Sequence, residues 1–104
     1  MEIEHLNKTD FEQKTNQNNL VIVDFFATWC GPCRMLSPIL SEVGEQMKGV
    51  TFYKVDVDEN QDLAKKFGVM SIPTIIALKN GKEIDRNIGL LNREDLTEFV
   101  EKNI

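Results

Sequence analysis

The sequence predicts one α/β domain in which helices cover both faces of a five-stranded mixed sheet. Short apolar, β-branched runs alternate with amphipathic stretches, which is typical of parallel strands joined by helices. Two further strand-like runs are separated by Asn80-Gly81, a strong signal for a hairpin turn. Strands that alternate with helices and then close in a hairpin give a three-layer α/β/α sandwich. The length of 104 residues fits a single domain over 1–104.

Each predicted element has a local signal. Thr9 with Glu12 has capping-box form and starts the first helix, Pro32 opens the longest helix over 32–48, and Asn92 caps the last. A third helix begins at 58–60 and ends at Gly68. The predicted strands lie at 2–6, 20–27, 50–57, 74–78 and 83–88.

Composition excludes several classes of function. The net charge of −5 and the scattered lysines argue against nucleic acid or an anionic membrane as a partner. No apolar run approaches membrane-spanning length, and the acidic N-terminal residues lack the apolar region of a secretory signal. We therefore expect a cytoplasmic protein.

The stretch from 20 to 33 carries the chemistry. An apolar strand leads through Thr28 and Trp29 to Cys30-Gly31-Pro32-Cys33, which opens a helix. The partial positive charge of a helix N-terminus stabilises a thiolate, and Cys30 precedes Pro32, where this field is strongest. Cys33 lies one turn further and is expected to be more buried. Two cysteines at this spacing can cycle between dithiol and disulfide.

The same two cysteines could instead form half of a zinc site. A structural zinc needs about four ligands, usually Cys or His. The sequence offers one further candidate, His5, which is far off along the chain. The two cysteines without other ligands favour a redox pair.

Asp24 and Trp29 are the other candidate functional residues near the cysteines. Asp24 interrupts an apolar strand, and a buried carboxylate there would have a raised pKa and could take a proton from a thiol. The alternative is an ordinary, partly exposed carboxylate. Trp29 is either a core residue or, because it follows a strand end beside the cysteines, an exposed platform for substrate.

Several motifs resemble those of the thioredoxin family over nearly the whole chain. The segment from Trp29 to Cys33 is identical to the family's active-site motif, and Asp24 matches its buried aspartate. Ile72-Pro73-Thr74 matches its cis-proline loop. Phe26 departs from the pattern, since many members have a second tryptophan there. We expect this change to alter packing and fluorescence but not chemistry.

The resemblance implies the thioredoxin fold, with strand order 1-3-2-4-5, and a protein-disulfide reductase. Cys30 would be the nucleophile, Cys33 the resolving cysteine and Asp24 the proton acceptor. Lys54 matches a family lysine near this aspartate, although by itself it resembles an ordinary strand lysine. Gly31, Pro32 and Pro73 would support the active site. The resemblance further assigns a substrate-docking surface to Trp29, Met70, Ser71, Ile72, Pro73, Gly89 and Leu90.

The resemblance also implies the partners. No nucleotide-binding motif is present, so we expect no bound cofactor, with electrons from NADPH arriving through a thioredoxin reductase. Gly31 and Pro32 carry no charge that would over-stabilise the thiolate, which favours a reductant of disulfide-containing substrate proteins. We expect a monomer that contributes to cell redox homeostasis. The alternative is a binding module whose dithiol only gates partner binding, and catalytic turnover distinguishes the two.

Overall fold

The computed structural model describes residues 2–104, and the strands and helices alternate as the sequence predicts. The strands are β1 Glu4–His5, β2 Val21–Phe26, β3 Thr51–Asp56, β4 Thr74–Lys79 and β5 Lys82–Ile88. The helices are α1 Phe11–Thr15, α2 Gly31–Gln46, α3 Gln61–Lys66 and α4 Arg93–Lys102. Within residues 2–104, none of these helices combines the length and the apolar character that crossing a membrane requires.

The five strands form one mixed sheet in the order β1-β3-β2-β4-β5. Strands β1 and β2 run parallel to β3, whereas β4 is antiparallel to β2 and β5 is antiparallel to β4. The strand order that the resemblance implied is therefore confirmed. Strand β2 lies at the centre of the sheet and is buried at every position, which explains its continuous apolar sequence.

Helices cover both faces of the sheet, as the three-layer prediction requires. Alternate residues of a strand point to opposite faces, so β2 contributes to two apolar clusters. Ile22 packs with residues of α2 and α4, while Val23 and Phe25 pack with residues of α1 and α3. The even-numbered positions of β2 therefore face α2, the helix that begins at the cysteines.

Two local predictions near the N-terminus are wrong. Strand β1 has two residues rather than the five predicted at 2–6, because the chain turns at Asn7, whose side chain accepts hydrogen bonds from the backbone of Thr9 and Asp10. This turn also replaces the capping box. Asp10, not Thr9, stands at the N-cap of α1, and its side chain makes no cap hydrogen bond among the described residues.

The predicted hairpin and the last helix cap are both confirmed. Asn80 and Gly81 connect β4 to β5 with φ of 53° and 77°, and positive φ at both central residues is what a type I′ turn requires. The Asn92 side chain accepts a hydrogen bond of 2.8 Å from the backbone of Asp95 at the start of α4. Because the hairpin makes β4 and β5 antiparallel neighbours, the loop that precedes β4 and the loop that follows β5 lie at the same end of the sheet.

Candidate active site

The two cysteines lie at the start of α2, after the loop that connects β2 to this helix. Cys30 is the N-cap residue of α2, and Cys33 lies within its first turn. They are joined by a disulfide with their Cα atoms 5.2 Å apart. The backbone N–H of Cys33 donates a hydrogen bond of 3.2 Å to Cys30 Sγ. The unpaired N–H groups of the helix start therefore reach the sulfur of Cys30, as the sequence predicts.

Both cysteines are buried, with 4% of Cys30 and 2% of Cys33 exposed. Cys33 is the more buried of the two, as expected, but the difference is small. The two residues between them are more open: Gly31 is half-buried and Pro32 is exposed. Burial alone therefore does not separate the roles of the two sulfurs, and their places in the helix must do so.

The loop before β4 lies against the disulfide. The Ile72–Pro73 peptide bond is cis, as the resemblance implied. The Ile72 carbonyl oxygen lies 3.8 Å from Cys30 Sγ. Behind it, the carbonyl of Pro73 accepts a hydrogen bond of 2.8 Å from the backbone of Gly89. Residues that are more than forty positions from Cys30 in the chain thus meet it in space.

Large apolar side chains project from the loops around the disulfide. Trp29, Met70 and Leu90 are 67%, 96% and 41% exposed, and Ser71 is also exposed. Gly89 has a φ of +106°, a conformation that residues with a side chain rarely adopt. Trp29 is therefore exposed and is not a core residue, and its role as a platform for substrate stays a prediction.

One partner of Trp29 was not identified from the sequence. The indole Nε1 donates a hydrogen bond of 2.8 Å to Asp58 Oδ2. Asp58 lies in the turn between β3 and α3, where it resembles an ordinary helix-start carboxylate. The contact holds one edge of the indole and leaves most of the residue exposed.

Asp24 is fully buried beneath α2. It shares the face of β2 with Ile22, and no surface of the residue is exposed. Among residues 2–104, no hydrogen-bond donor reaches either carboxylate oxygen. Burial raises the pKa of the Asp24 carboxyl to about 7, and the nearby Lys54 charge opposes this rise only in part. The interpretation of Asp24 as a buried, titratable group is the one that the structure supports.

Lys54 is not an ordinary strand lysine. It stands opposite Asp24 in the register of β2 and β3, and only 9% of it is exposed. Its ammonium donates a hydrogen bond of 2.9 Å to Ser37 Oγ and lies 4.6 Å from the centroid of the Phe26 ring. Ser37 was not identified from the sequence, although its position four residues after Cys33 places it on the same face of α2.

His5, which is far from the cysteines along the chain, is exposed and lies near Phe26. Their ring centroids are 5.3 Å apart in an edge-on arrangement. His5 also lines an open cleft of about 250 Å³, together with Glu2, Ile3, Ser37, Ser41 and Lys54. Within residues 2–104, no three His, Cys, Asp or Glu side chains gather as metal ligands would.

A disulfide at a helix start can undergo thiol–disulfide exchange with another protein that reaches it. This ability defines the class of thiol–disulfide oxidoreductases.

Comparison with known proteins gives the family within this class. A sequence model of the thioredoxin family matches residues 2–102. The chain is 45% identical over 86 residues to the thioredoxin of Chlamydia muridarum, covering 83% of this chain and 84% of that protein. It is 41% identical over 105 residues to that of Staphylococcus aureus, covering all of both. The structure of Plasmodium falciparum thioredoxin matches with a TM-score of 0.91 and 37% identity, covering 98% of this chain and 100% of that one. The chain therefore belongs to the thioredoxin family.

Proposed function

We propose that Cys30 is the nucleophile and Cys33 the resolving cysteine in the reduction of substrate disulfides. The Cys30 thiolate attacks one sulfur of the substrate disulfide, and the other substrate sulfur leaves as a thiolate. Cys33, as a thiolate, then attacks Cys30 Sγ in the mixed disulfide and releases the second substrate sulfur. Two electrons pass to the substrate, and the Cys30–Cys33 disulfide remains.

The observation that carries this assignment is the position of Cys30 between the start of α2 and the loop before β4, which contains Ile72. Its sulfur accepts the backbone N–H of Cys33 and faces the Ile72 carbonyl at 3.8 Å. A thiolate there is stabilised by the helix N-terminus and lies beside the surface where a substrate would bind. Cys33 lies deeper in the first turn of α2, which suits attack on a neighbouring sulfur within the protein.

Asp24 is proposed as the acceptor of the Cys33 proton. Its side chain lies on the α2 face of β2, and its pKa of about 7 lets the carboxyl gain or lose a proton near neutral pH. Lys54 lowers the pKa of Asp24 by its charge, so it assists the ionised state of the acceptor. After accepting a proton, the Asp24 carboxyl would thus return to its ionised form without a large change in pH.

The docking surface is proposed to hold an extended substrate segment. Backbone groups of Ile72 can pair with such a segment as in strand addition. Pro73 has no N–H and cannot donate to it. The exposed apolar side chains would then contact the substrate on either side of its disulfide. This surface comprises Trp29, Met70, Ser71, Ile72, Pro73, Gly89 and Leu90.

The oxidised protein is proposed to be re-reduced by a thioredoxin reductase that draws electrons from NADPH. The family is generally served by such reductases, and the chain itself carries no nucleotide-binding motif. We propose that the protein works as a monomer without a bound cofactor. A cytoplasmic location suits this role, because a reductant belongs in a reducing compartment.

Trapping of mixed disulfides tests the two cysteine roles. We expect C33S to form a stable adduct with insulin that is visible on a non-reducing gel, because attack by Cys30 survives while resolution is lost. C30S should form none. Stable adducts with C30S and none with C33S would reverse the assignment.

Turnover distinguishes the proposed reductase from a binding module. With NADPH and a thioredoxin reductase present, one equivalent of the protein should reduce many equivalents of insulin. A module would bind insulin and stop after one equivalent at most. The C30S variant, which keeps the docking surface, is the matched control for binding without reduction.

A further inference from the structure

We infer that Ser37 is a positioning residue that holds the Lys54 ammonium away from the Asp24 carboxylate. The inference rests on the proposed role of Asp24 as the proton acceptor. By keeping the two charges from pairing, Ser37 would keep the acceptor basic enough to take the Cys33 proton near neutral pH.

The geometry places the three side chains in one compact arrangement. Asp24 and Lys54 are register partners on neighbouring strands, so their side chains leave the sheet on the same face. That face is covered by α2, and Ser37 points from α2 to the ammonium at 2.9 Å. The Lys54 ammonium also lies 4.6 Å from the centroid of the Phe26 ring.

The two buried charged groups of this cluster differ in their hydrogen bonds. Lys54 is buried, and Ser37 Oγ is its one hydrogen-bond acceptor among residues 2–104. Asp24 has no exposed surface, and within the same residues both its oxygens are without a hydrogen-bond donor. A buried lysine ammonium and a buried carboxylate that have so few hydrogen-bond partners would ordinarily form an ion pair with each other. The contact with Ser37 is what directs the ammonium elsewhere.

Loss of the Ser37 hydroxyl removes the hydrogen bond that holds the Lys54 ammonium in this orientation. A buried ammonium without an acceptor is costly, and the Phe26 ring provides no hydrogen-bond acceptor of the usual strength. The Asp24 carboxylate has four unused lone-pair positions on the neighbouring strand. We therefore expect the ammonium to turn to Asp24 in S37A, and the pKa of Asp24 to fall as a result.

Other titratable groups around the cluster come from two directions. Glu2 and His5 line the outer part of the cleft, next to Lys54. The cysteines lie at the start of α2, and in the disulfide they do not titrate. On the β4 side, the register partner of Asp24 is Ile75, which carries no charge. In the oxidised protein, the titration of Asp24 is therefore set mainly by burial and by Lys54.

A direct titration of Asp24 tests the inference. The oxidised protein is labelled with ¹³C at the aspartate carboxyl carbons, and the Asp24 signal is assigned as the one missing from D24N. In S37A the pKa of Asp24 should fall by about one unit or more, as for an aspartate that gains a close cation. S37T keeps a hydroxyl and should restore the wild-type titration.

Ser41 supplies the matched control. It lies one turn after Ser37 on α2, is also half-buried and lines the same cleft, but among the described residues it makes no hydrogen bond to Lys54. S41A should leave the Asp24 titration unchanged. An unchanged or raised pKa of Asp24 in S37A, or an equal fall in S41A, would overturn the inference.

The rate of insulin reduction separates this inference from the proposed function on which it rests. If Asp24 accepts the proton, the acidic limb of the pH–rate profile should move to lower pH in S37A, and this movement should vanish in the D24N background. A shifted Asp24 titration with no change in the rate profile would keep the positioning role of Ser37 and reject Asp24 as the acceptor.

Discussion

Burial makes the charged form of Asp24 costly, and the chemistry of this residue follows from that cost. A carboxylate with no exposed surface loses its hydration, and within residues 2–104 no hydrogen bond replaces it. The resulting pKa of about 7 makes the group able to exchange a proton at neutral pH. The same desolvation that destabilises the fold therefore creates the proposed proton acceptor.

Replacement of Asp24 by asparagine should slow disulfide reduction near neutral pH. A thiol with an ordinary pKa of about 8.5 is only about 3% ionised at pH 7, so losing the acceptor should lower the rate of resolution by up to about thirty-fold. Single-turnover reduction of insulin, followed from pH 6 to pH 10, measures this.

The defect of D24N should shrink as the pH rises, because Cys33 then ionises without help. The C33S variant, which cannot resolve the mixed disulfide at any pH, is the control for the assay. A rate defect of equal size at every pH would count against proton transfer by Asp24.

At the scale of elements, the start of α2 joins fold and function. Strand β2 ends at Phe26, and the chain turns to place Cys30 at the N-cap, where an Asn, Asp, Ser or Thr usually stands. Cys30 Sγ takes the place of the capping oxygen by accepting the N–H of Cys33. A functional sulfur thus replaces a stabilising cap in this helix.

Helix α4, by contrast, begins with an ordinary cap that should be measurable as stability. Asn92 accepts the backbone N–H of Asp95 at 2.8 Å. Asn92→Ala should lower the free energy of unfolding by about 1 kcal/mol, because the N–H loses its partner. Urea unfolding of the oxidised protein, followed by circular dichroism, measures the change.

A second variant completes this experiment. Asn92→Ser keeps a capping oxygen and should retain most of the stability. A loss below about 0.3 kcal/mol would show that the Asn92 side chain does not cap α4.

For the whole molecule, Asp24 should make stability depend on pH. Its pKa is about 7 when folded and near the ordinary 3.8 when unfolded, so between these values the folded state holds a proton that the unfolded state has lost. The contribution of this group is fully present below about pH 4 and is lost as the pH rises through 7. The pKa difference corresponds to roughly 4 kcal/mol.

The free energy of unfolding of D24N, minus that of the wild type, should therefore increase from pH 4 to pH 7 and then level off. Urea titrations of both oxidised proteins across this range measure the difference. Asp62→Asn, a change at a carboxylate that is 81% exposed, is the control and should give a flat difference. A flat difference for D24N would contradict the raised pKa of Asp24.

Local patterns in the sequence were enough to predict most of these elements. Continuous apolar sequence marks β2, helical spacing marks α2, and Asn80-Gly81 marks the hairpin. Each of these signals depends on neighbours within one turn or one strand, where propensity and periodicity act directly. The burial of Asp24 could be predicted for the same reason, because its flanking residues are apolar.

What the sequence determined by itself was the set of elements, the cysteine pair at a helix start and the buried carboxylate before it. The strand order followed only from family resemblance, since side-chain periodicity does not record which strands are neighbours. Tertiary structure alone decided the contacts of Lys54 with Ser37 and of Trp29 with Asp58, which join positions 17 and 29 residues apart. Such contacts depend on sheet register and on how α2 and the loops pack over the sheet, and these are properties of the assembled chain rather than of any one segment.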